Sequence, residues 1–179
     1  KVQNALGVTE ADVEHVLTLM TIQEKMFAPL TVDVDTEVSD EEAAQKRIVY
    51  VYMSTAGTET DDDGNTIDLT DEEKAAKKQE LQDILDAARE SGDLKAAVDA
   101  ANENRDENSK LSASETTYGA DSTTPAEEVR TAADALKDGE LAEIVETDTG
   151  YYAVQMVSTF DEDATANKKD SIVTERKNT

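Results

Sequence analysis

The chain has 179 residues, 42 acidic and 17 basic, for a formal net charge of −25; 37% of it is hydrophobic, with no Trp and two Phe. That acidity excludes a nucleic-acid interface, which needs a basic footprint, and opposes adsorption to anionic lipid. The absence of Cys excludes a disulfide framework, a thiol nucleophile and a thiolate metal site. No apolar run approaches the roughly 18 residues of a membrane span.

The length suits one domain of common size with an attached segment, its core built mostly from Ala, Val, Leu and Ile. Thr9 with Asp12 has the pattern of a helix N-cap, and Val13, Val16, Leu17, Met20 and Phe27 follow at helical spacing until Pro29. Thr31 to Val38 alternates Val with acidic residues, as a linker or weak edge strand would, and Ser39 caps a short helical turn. Ile48 to Met53 is apolar on both alternating faces, which predicts a central strand covered on both sides. Ser54 to Leu69 is a polar loop, after which Thr70 and Glu73 cap a long helix with a stripe of Leu81, Ile84, Leu85 and Ala88.

Gly92 ends that helix, and Leu94, Ala97, Val98 and Ala101 mark another. Asn102 to Thr123 is polar and weakly structured apart from Leu111 and Tyr118, and Thr124-Pro125-Ala126-Glu127 then predicts a helix with Pro125 at its first position. Asp138-Gly139 stops it, with Gly139 supplying a left-handed cap. Leu141 and Ile144-Val145 predict a short strand, Asp148-Thr149-Gly150 a turn and Tyr151 to Val157 a final strand. The chain is polar from about Asp161, and Ile172 and Val173 then open an unfinished helix. The whole is an α+β plan.

Glu59 to Thr70 brushes against a calcium-loop pattern, with acids at loop positions one, three and five and Gly64 at six; Thr70 stands where the bidentate Glu belongs. A solvated turn is the better reading, and no metal site is expected. His15, the only histidine, has no second His or Cys beside it and reads as a surface or interface residue. Hydrolase and nucleotide-binding readings fail for want of a nucleophile motif or a Gly-rich phosphate loop. Val16, Leu17, Met20, Ile22, Met26, Phe27 and Leu30 offer more apolar surface than one helix buries alone. Packing around Ile172, client contact and pairing with a second copy are the alternatives.

Ala132-Ala133-Asp134-Ala135-Leu136-Lys137-Asp138-Gly139-Glu140, then Gly150-Tyr151-Tyr152 and an apolar tail, resemble the C-terminal half of a parvulin-type peptidyl-prolyl isomerase domain. Glu90 to Val98 resembles a second segment of that family. The resemblance runs from about Lys46 to Ser158, and the helices on either side are similar to those of PrsA-type extracytoplasmic foldases. It implies a small, mostly antiparallel four-stranded sheet covered by helices (45–160), flanked by the two ends of a partial chaperone lobe (1–44 and 161–179). It also implies no cofactor.

By the same resemblance, the family's last-strand histidine falls at Tyr152 and its first-strand histidine at Tyr50, or with a shift toward Arg47. Val129 and Asp134 stand where the pocket helix carries Phe, and Tyr118-Gly119-Ala120-Asp121 is the nearest remnant of the glycine-rich stretch. Tyr50 and Tyr152 are thus the candidate catalytic pair, with Tyr118, Val129, Asp134 and Met156 as candidate substrate contacts. The implied function is an extracytoplasmic foldase with a degenerate isomerase site. Its partners would be X-Pro segments of unfolded or exported clients, with a homodimer possible and a membrane met only through a lipid anchor on a Gram-positive surface. The alternative is a non-catalytic module that holds extended client segments. Surplus negative charge reads first as a solubilising surface and second as an attraction for basic clients.

Overall fold

A computed structural model describes residues 9–57, 67 and 69–179, with residues 28–30 described in their backbone alone. The acidic run 59–66 therefore lies outside the described residues, and Thr70 is simply the N-cap of a helix. The chain divides into two compact units, Ser39–Lys169 and the residues up to Val38 together with Asp170–Thr179.

The larger unit is built on a four-stranded antiparallel sheet of order β2-β1-β4-β3. Its strands are β1 (Lys46–Ser54), β2 (Ala113–Tyr118), β3 (Val145–Thr147) and β4 (Gly150–Ser158). The apolar run Ile48 to Met53 is central, as its sequence predicts, and its alternation divides the core in two. Val49, Val51 and Met53 face one side, where they pack with Leu81, Ile84, Leu85 and Ala88 of one helix (Asp71–Ser91) and Leu94, Ala97 and Val98 of the next (Leu94–Asn102). Ile48 faces the other side, where it joins Tyr118, Val129, Ala133, Val154 and Met156 beneath a short helix, Glu127–Asp134. In chain order these helices are α3, α4 and α5, after α1 (Glu10–Leu30) and α2 (Asp40–Ala43); α6 is Glu162–Asn178.

Local chemistry fixes the ends of these elements. A reciprocal capping box joins Thr70 and Glu73 at the start of α3, and Gly92 ends it in the left-handed region at φ +76. Gly139 takes φ +83 but does not cap α5 as expected, since that helix ends at Asp134 with Ala135 still right-handed; its turn instead lets its N–H donate to the Met156 carbonyl at 2.8 Å. Gly150 enters β4 against β1 so closely that a Cβ there would lie 2.2 Å from the Met53 carbonyl oxygen. Gln155, 8% exposed, reaches from β4 toward α4. Its carbonyl accepts from the Leu94 N–H at 2.9 Å, and its amide donates to the carbonyls of Gly92 at 2.9 Å and Gly139 at 3.2 Å.

Four further expectations need correction. The polar stretch before Thr123 contains β2, whose Ser and Thr side chains sit on an edge strand paired to β1. Pro125 precedes α5 rather than opening it, because the first helical bond, Arg130 N–H to the Ala126 carbonyl, makes Ala126 the cap. Leu141 makes only a single bridge to Gln155, and the strand begins at Val145. Finally, α6 starts at Glu162, well before Ile172, because the Asp161 carboxylate accepts from the Ala164 N–H at 2.8 Å. Gln45 fixes that first turn to the sheet, accepting from the Asp161 N–H and donating its own N–H to the Thr165 hydroxyl at 3.0 Å.

In the smaller unit, α1 begins with the capping box of Thr9 and Asp12 and ends one residue after Pro29. Thr31 to Val38 forms a turn and irregular chain with no strand. Arg176 donates to the carbonyls of Asp35 and Glu37. Val13, Val16, Leu17, Met20, Ile22, Met26 and Phe27 all stay exposed, so packing around Ile172 does not bury them. His15 is exposed as well. Among the described residues no helix is long and apolar enough to cross a membrane.

Two stability measurements follow from these contacts. Gln155→Ala strands the Leu94 N–H and two carbonyls in the interior, and is expected to cost about 2 kcal/mol in urea unfolding. Asp161 is hydrogen-bonded by Arg47 and then by the Ala164 N–H, which hold its carboxyl below the usual range. The unfolded chain therefore binds that proton more readily. The contribution is full above the unfolded value of about 3.9 and is lost as pH falls through the lower folded value. Asp161→Asn is expected to lower stability at neutral pH and to flatten its decline below about pH 4, read by unfolding curves at stepped pH.

Candidate functional site

Ile48, Tyr50 and Tyr52 point to the same face of β1, and the cover over them thins along the strand. Ile48 is fully buried, Tyr50 is half-buried and Tyr52 is 38% exposed. Antiparallel pairing sets Tyr152 of β4 opposite Tyr52 and Ser114 of β2 opposite Tyr50. The three tyrosine rings consequently gather in one place. The Tyr50 and Tyr152 centroids lie 5.8 Å apart and those of Tyr52 and Tyr152 4.7 Å, both tilted, a geometry that aromatic pairs favour.

These rings wall a hollow of about 400 Å³, completed by Lys110, Leu111, Ser112 and Ser114 on the approach to β2. The Tyr52 hydroxyl donates to the Thr149 carbonyl at 2.7 Å, which holds its ring upright at the rim. Burial, followed by the neighbouring Tyr52 and Tyr50, pushes the Tyr152 phenol above its ordinary pKa. At neutral pH it is therefore an uncharged hydroxyl, able to donate and accept one hydrogen bond each way but unable to carry a proton as an imidazole does.

The structure thus brings Tyr50 and Tyr152 together on a hollow that none of the other four sequence-derived site residues lines, although both rings pack against the core cluster that holds Tyr118, Val129 and Met156. Val129 and Met156 are fully buried in the core under α5 and present no surface to a ligand. Tyr118 is also buried, its hydroxyl donating to Asp134 at 2.7 Å, and burial followed by that bond drives its pKa far upward. Asp134 does not line the hollow of Tyr50, Tyr52 and Tyr152. Burial works to raise its carboxyl, but the Lys46 ammonium at 2.8 Å and the Tyr118 hydroxyl outweigh this and hold it below the usual range. Tyr118 and Asp134 line a separate hollow of about 260 Å³ at the other end of β1, with Lys46, Gly119 and Arg130.

Tyr52, Lys110, Leu111, Ser112 and Ser114 are the wall residues that sequence reasoning missed. Tyr52 had a signal: it sits two residues from Tyr50 on one strand and must share its face. The wall residues within 110–114 had none, since only the pairing of β2 with β1 brings them there. Among the described residues no group of three or more His, Asp or Glu side chains is arranged to hold a metal ion.

Comparison with known proteins gives the site a context. None of the curated proteins compared with the chain matches it. Among solved structures it is similar to a peptidylprolyl isomerase (PrsA) from Bacillus cereus, at 14% identity and a TM-score of 0.36, over 99% of this chain and 60% of that one. It is likewise similar to a peptidylprolyl isomerase (PrsA) from Bacillus anthracis, at 17% identity and a TM-score of 0.34, over 99% of this chain and 72% of that one. The chain thus spans less than two thirds of the length of the first. A family model, the PPIC-type PPIase domain or rotamase, matches residues 58–158. That match takes in more than half of the chain, from residue 58 to the end of the strand that carries Tyr152, and the chain therefore belongs to the PPIC-type peptidyl-prolyl isomerase family.

Proposed function

We propose that this protein is a protein-folding factor that receives X-Pro segments of unfolded clients in the tyrosine-walled hollow, with an isomerase site degenerate relative to its family. The observation that carries the reading is the convergence of Tyr50, Tyr52 and Tyr152 on the open end of the two central strands. Rotation about an X-Pro bond faces a barrier of about 20 kcal/mol. Lowering it requires no covalent step. It requires a site that grips the proline ring, excludes water from the imide and offers a donor to the prolyl nitrogen as its resonance weakens.

Three aromatic faces suit the ring, and the Tyr50 and Tyr152 hydroxyls are the available donors. What the site lacks is a deep apolar floor. Val129 and Met156, expected to supply one, are sealed beneath α5, so the proline sits at the rim with water close by. That arrangement supports binding more strongly than catalysis, and a non-catalytic module holding extended segments is the second reading. The exposed apolar residues of α1 support contact with clients or with a second copy. The family match and the cysteine-free composition are consistent with work outside the cytoplasm, which we extend to a lipid-anchored protein of a Gram-positive surface. On the same reading residues 45–160 are the isomerase-like domain, and 1–44 with 161–179 belong to a chaperone lobe.

Exchange spectroscopy of a short X-Pro peptide panel, with and without the chain, tests the proposal. The chain is expected to produce cis/trans exchange cross-peaks or line broadening that Tyr152→Ala abolishes; binding without exchange gives the holding module, and neither effect sinks both readings. The pH profile adds an independent check. A phenol whose pKa is raised above its usual value of about 10 stays protonated across neutral pH. Any exchange rate is expected to stay level between about pH 5.5 and 8.5; a step near the histidine value of about 6.5 would assign the chemistry to another group.

A further inference from the structure

The second hollow, at the Lys46 end of β1, contains an anomaly. The chain has five arginines, and in so acidic a protein each would be expected to find a carboxylate. Four do: Arg47 pairs with Glu115 and Asp161, Arg89 with Asp86 and Glu143, Arg105 with Glu80, and Arg176 with Asp35. Arg130 makes no ion pair among the described residues. It stands near enough to Asp134 to help lower that carboxyl's pKa, yet the carboxylate is committed to Lys46 and the Tyr118 hydroxyl.

Arg130 is nevertheless held in place. It is half-buried on α5, and its Nε donates to the Pro125 carbonyl at 3.1 Å. That bond fixes the guanidinium plane and leaves both terminal nitrogens for something else. Across the hollow, Lys46 uses one of its three ammonium donors on Asp134. The same hollow is lined by Ala44, Gly119 and Ala120, whose small or absent side chains leave the space open. Gly119 is required there, since a Cβ would stand 2.8 Å from the Ala44 carbonyl oxygen and closer still to the Gln45 amide. Glu41 completes the lining and is the one acid in the hollow with no claim on either cation.

We infer that this hollow binds the carboxylate of an acidic peptide side chain, received by the two terminal nitrogens of Arg130 with Lys46 as the second cation. A planar guanidinium with both terminal groups unused matches a carboxylate in a two-bond fork, which an ammonium alone does not. The volume of about 260 Å³ admits the end of one side chain and little more. Lys46 and Arg130 balance Asp134 and Glu41, so the hollow is locally neutral in a chain of charge −25. Repulsion from the remaining acids is screened beyond about 8 Å at physiological ionic strength. The site lies on the same strand face as Tyr50 but four residues away, about 13 Å along β1, and does not depend on isomerase activity.

The test is an amide NMR titration of the full chain with N-acetyl-glutamate N′-methylamide, alongside its glutamine analogue and inorganic phosphate. Saturable shifts are expected at the amides of Gly119 and Ala120 and at the Arg130 Nε–H with the glutamate compound, and none with the glutamine analogue. Arg130→Gln is expected to weaken binding at least tenfold. Arg130→Lys should lose most of that affinity too, because the charge remains but the fork is gone. Glu41→Gln should tighten binding at least twofold without touching α5, so the proposal stays exposed to failure even if the Arg130 variants unfold. Equal shifts from the glutamine analogue, unchanged affinity in Arg130→Gln, or binding of phosphate but not of the glutamate compound would overturn it.

Discussion

Lys46–Ser54 and Gly150–Ser158 run antiparallel at the centre of the sheet, and every other layer takes its place from that pair. The approach is close: at Gly150 the backbone of β4 sits where a side chain would strike the Met53 carbonyl. With the register so fixed, one strand face is committed to α3 and α4 and the other to α5. Tyr152 is then set opposite Tyr52, and Gln155 is aimed at the start of α4. A one-residue slip would exchange the two faces and remove the tyrosine cluster, the two-sided core and the Gln155 bridge together.

The site is what remains where the helical cover ends. Helix α5 is only eight residues long, and Val129 and Ala133 use it to seal Ile48 and Met156. Farther along the same face, Tyr50 is half-buried and Tyr52 is exposed at the rim. Aromatic rings suit that gradient, because each has an apolar body to pack and a hydroxyl to leave in water. The two ends of the face therefore differ in kind. At the Tyr52 end the hollow is walled by three aromatic rings with Lys110 as the one charged group in its lining, whereas at the Lys46 end it is lined by several ion-pairing groups. Both belong to one strand, and the difference follows from side-chain choice at alternate positions of β1.

Much of this was legible in the residues. Thr9 with Asp12 and Thr70 with Glu73 announce helix starts through chemistry confined to four residues, and Gly92 announces a stop through the sign of φ, whereas Gly139 shares that sign in a turn beyond the end of α5. The apolar run Ile48–Met53 can only be a central strand. Strand β2 was not legible, because Ala-Ser-Glu-Thr-Thr-Tyr has no apolar alternation and becomes a strand through the donors and acceptors of β1. Asp161 was missed as a cap since α6 has no apolar stripe to signal a helix behind it. For the site, the resemblance pointed to Tyr50 and Tyr152, which do converge, but Val129, Met156 and Tyr118 are spent on the core. Whether a residue on an apolar face lines a hollow or seals it depends on where the opposite helix stops, and no local pattern encodes that.

The central claim is that the three tyrosines hold a proline ring, and it is tested most directly by intermolecular NOEs in a mixture of the chain with a short X-Pro peptide. The account predicts contacts between the proline ring protons and the aromatic protons of Tyr50 and Tyr152, lost when Tyr50 is replaced by Ala. NOEs from the proline to other parts of the chain, with none to these rings, would contradict it.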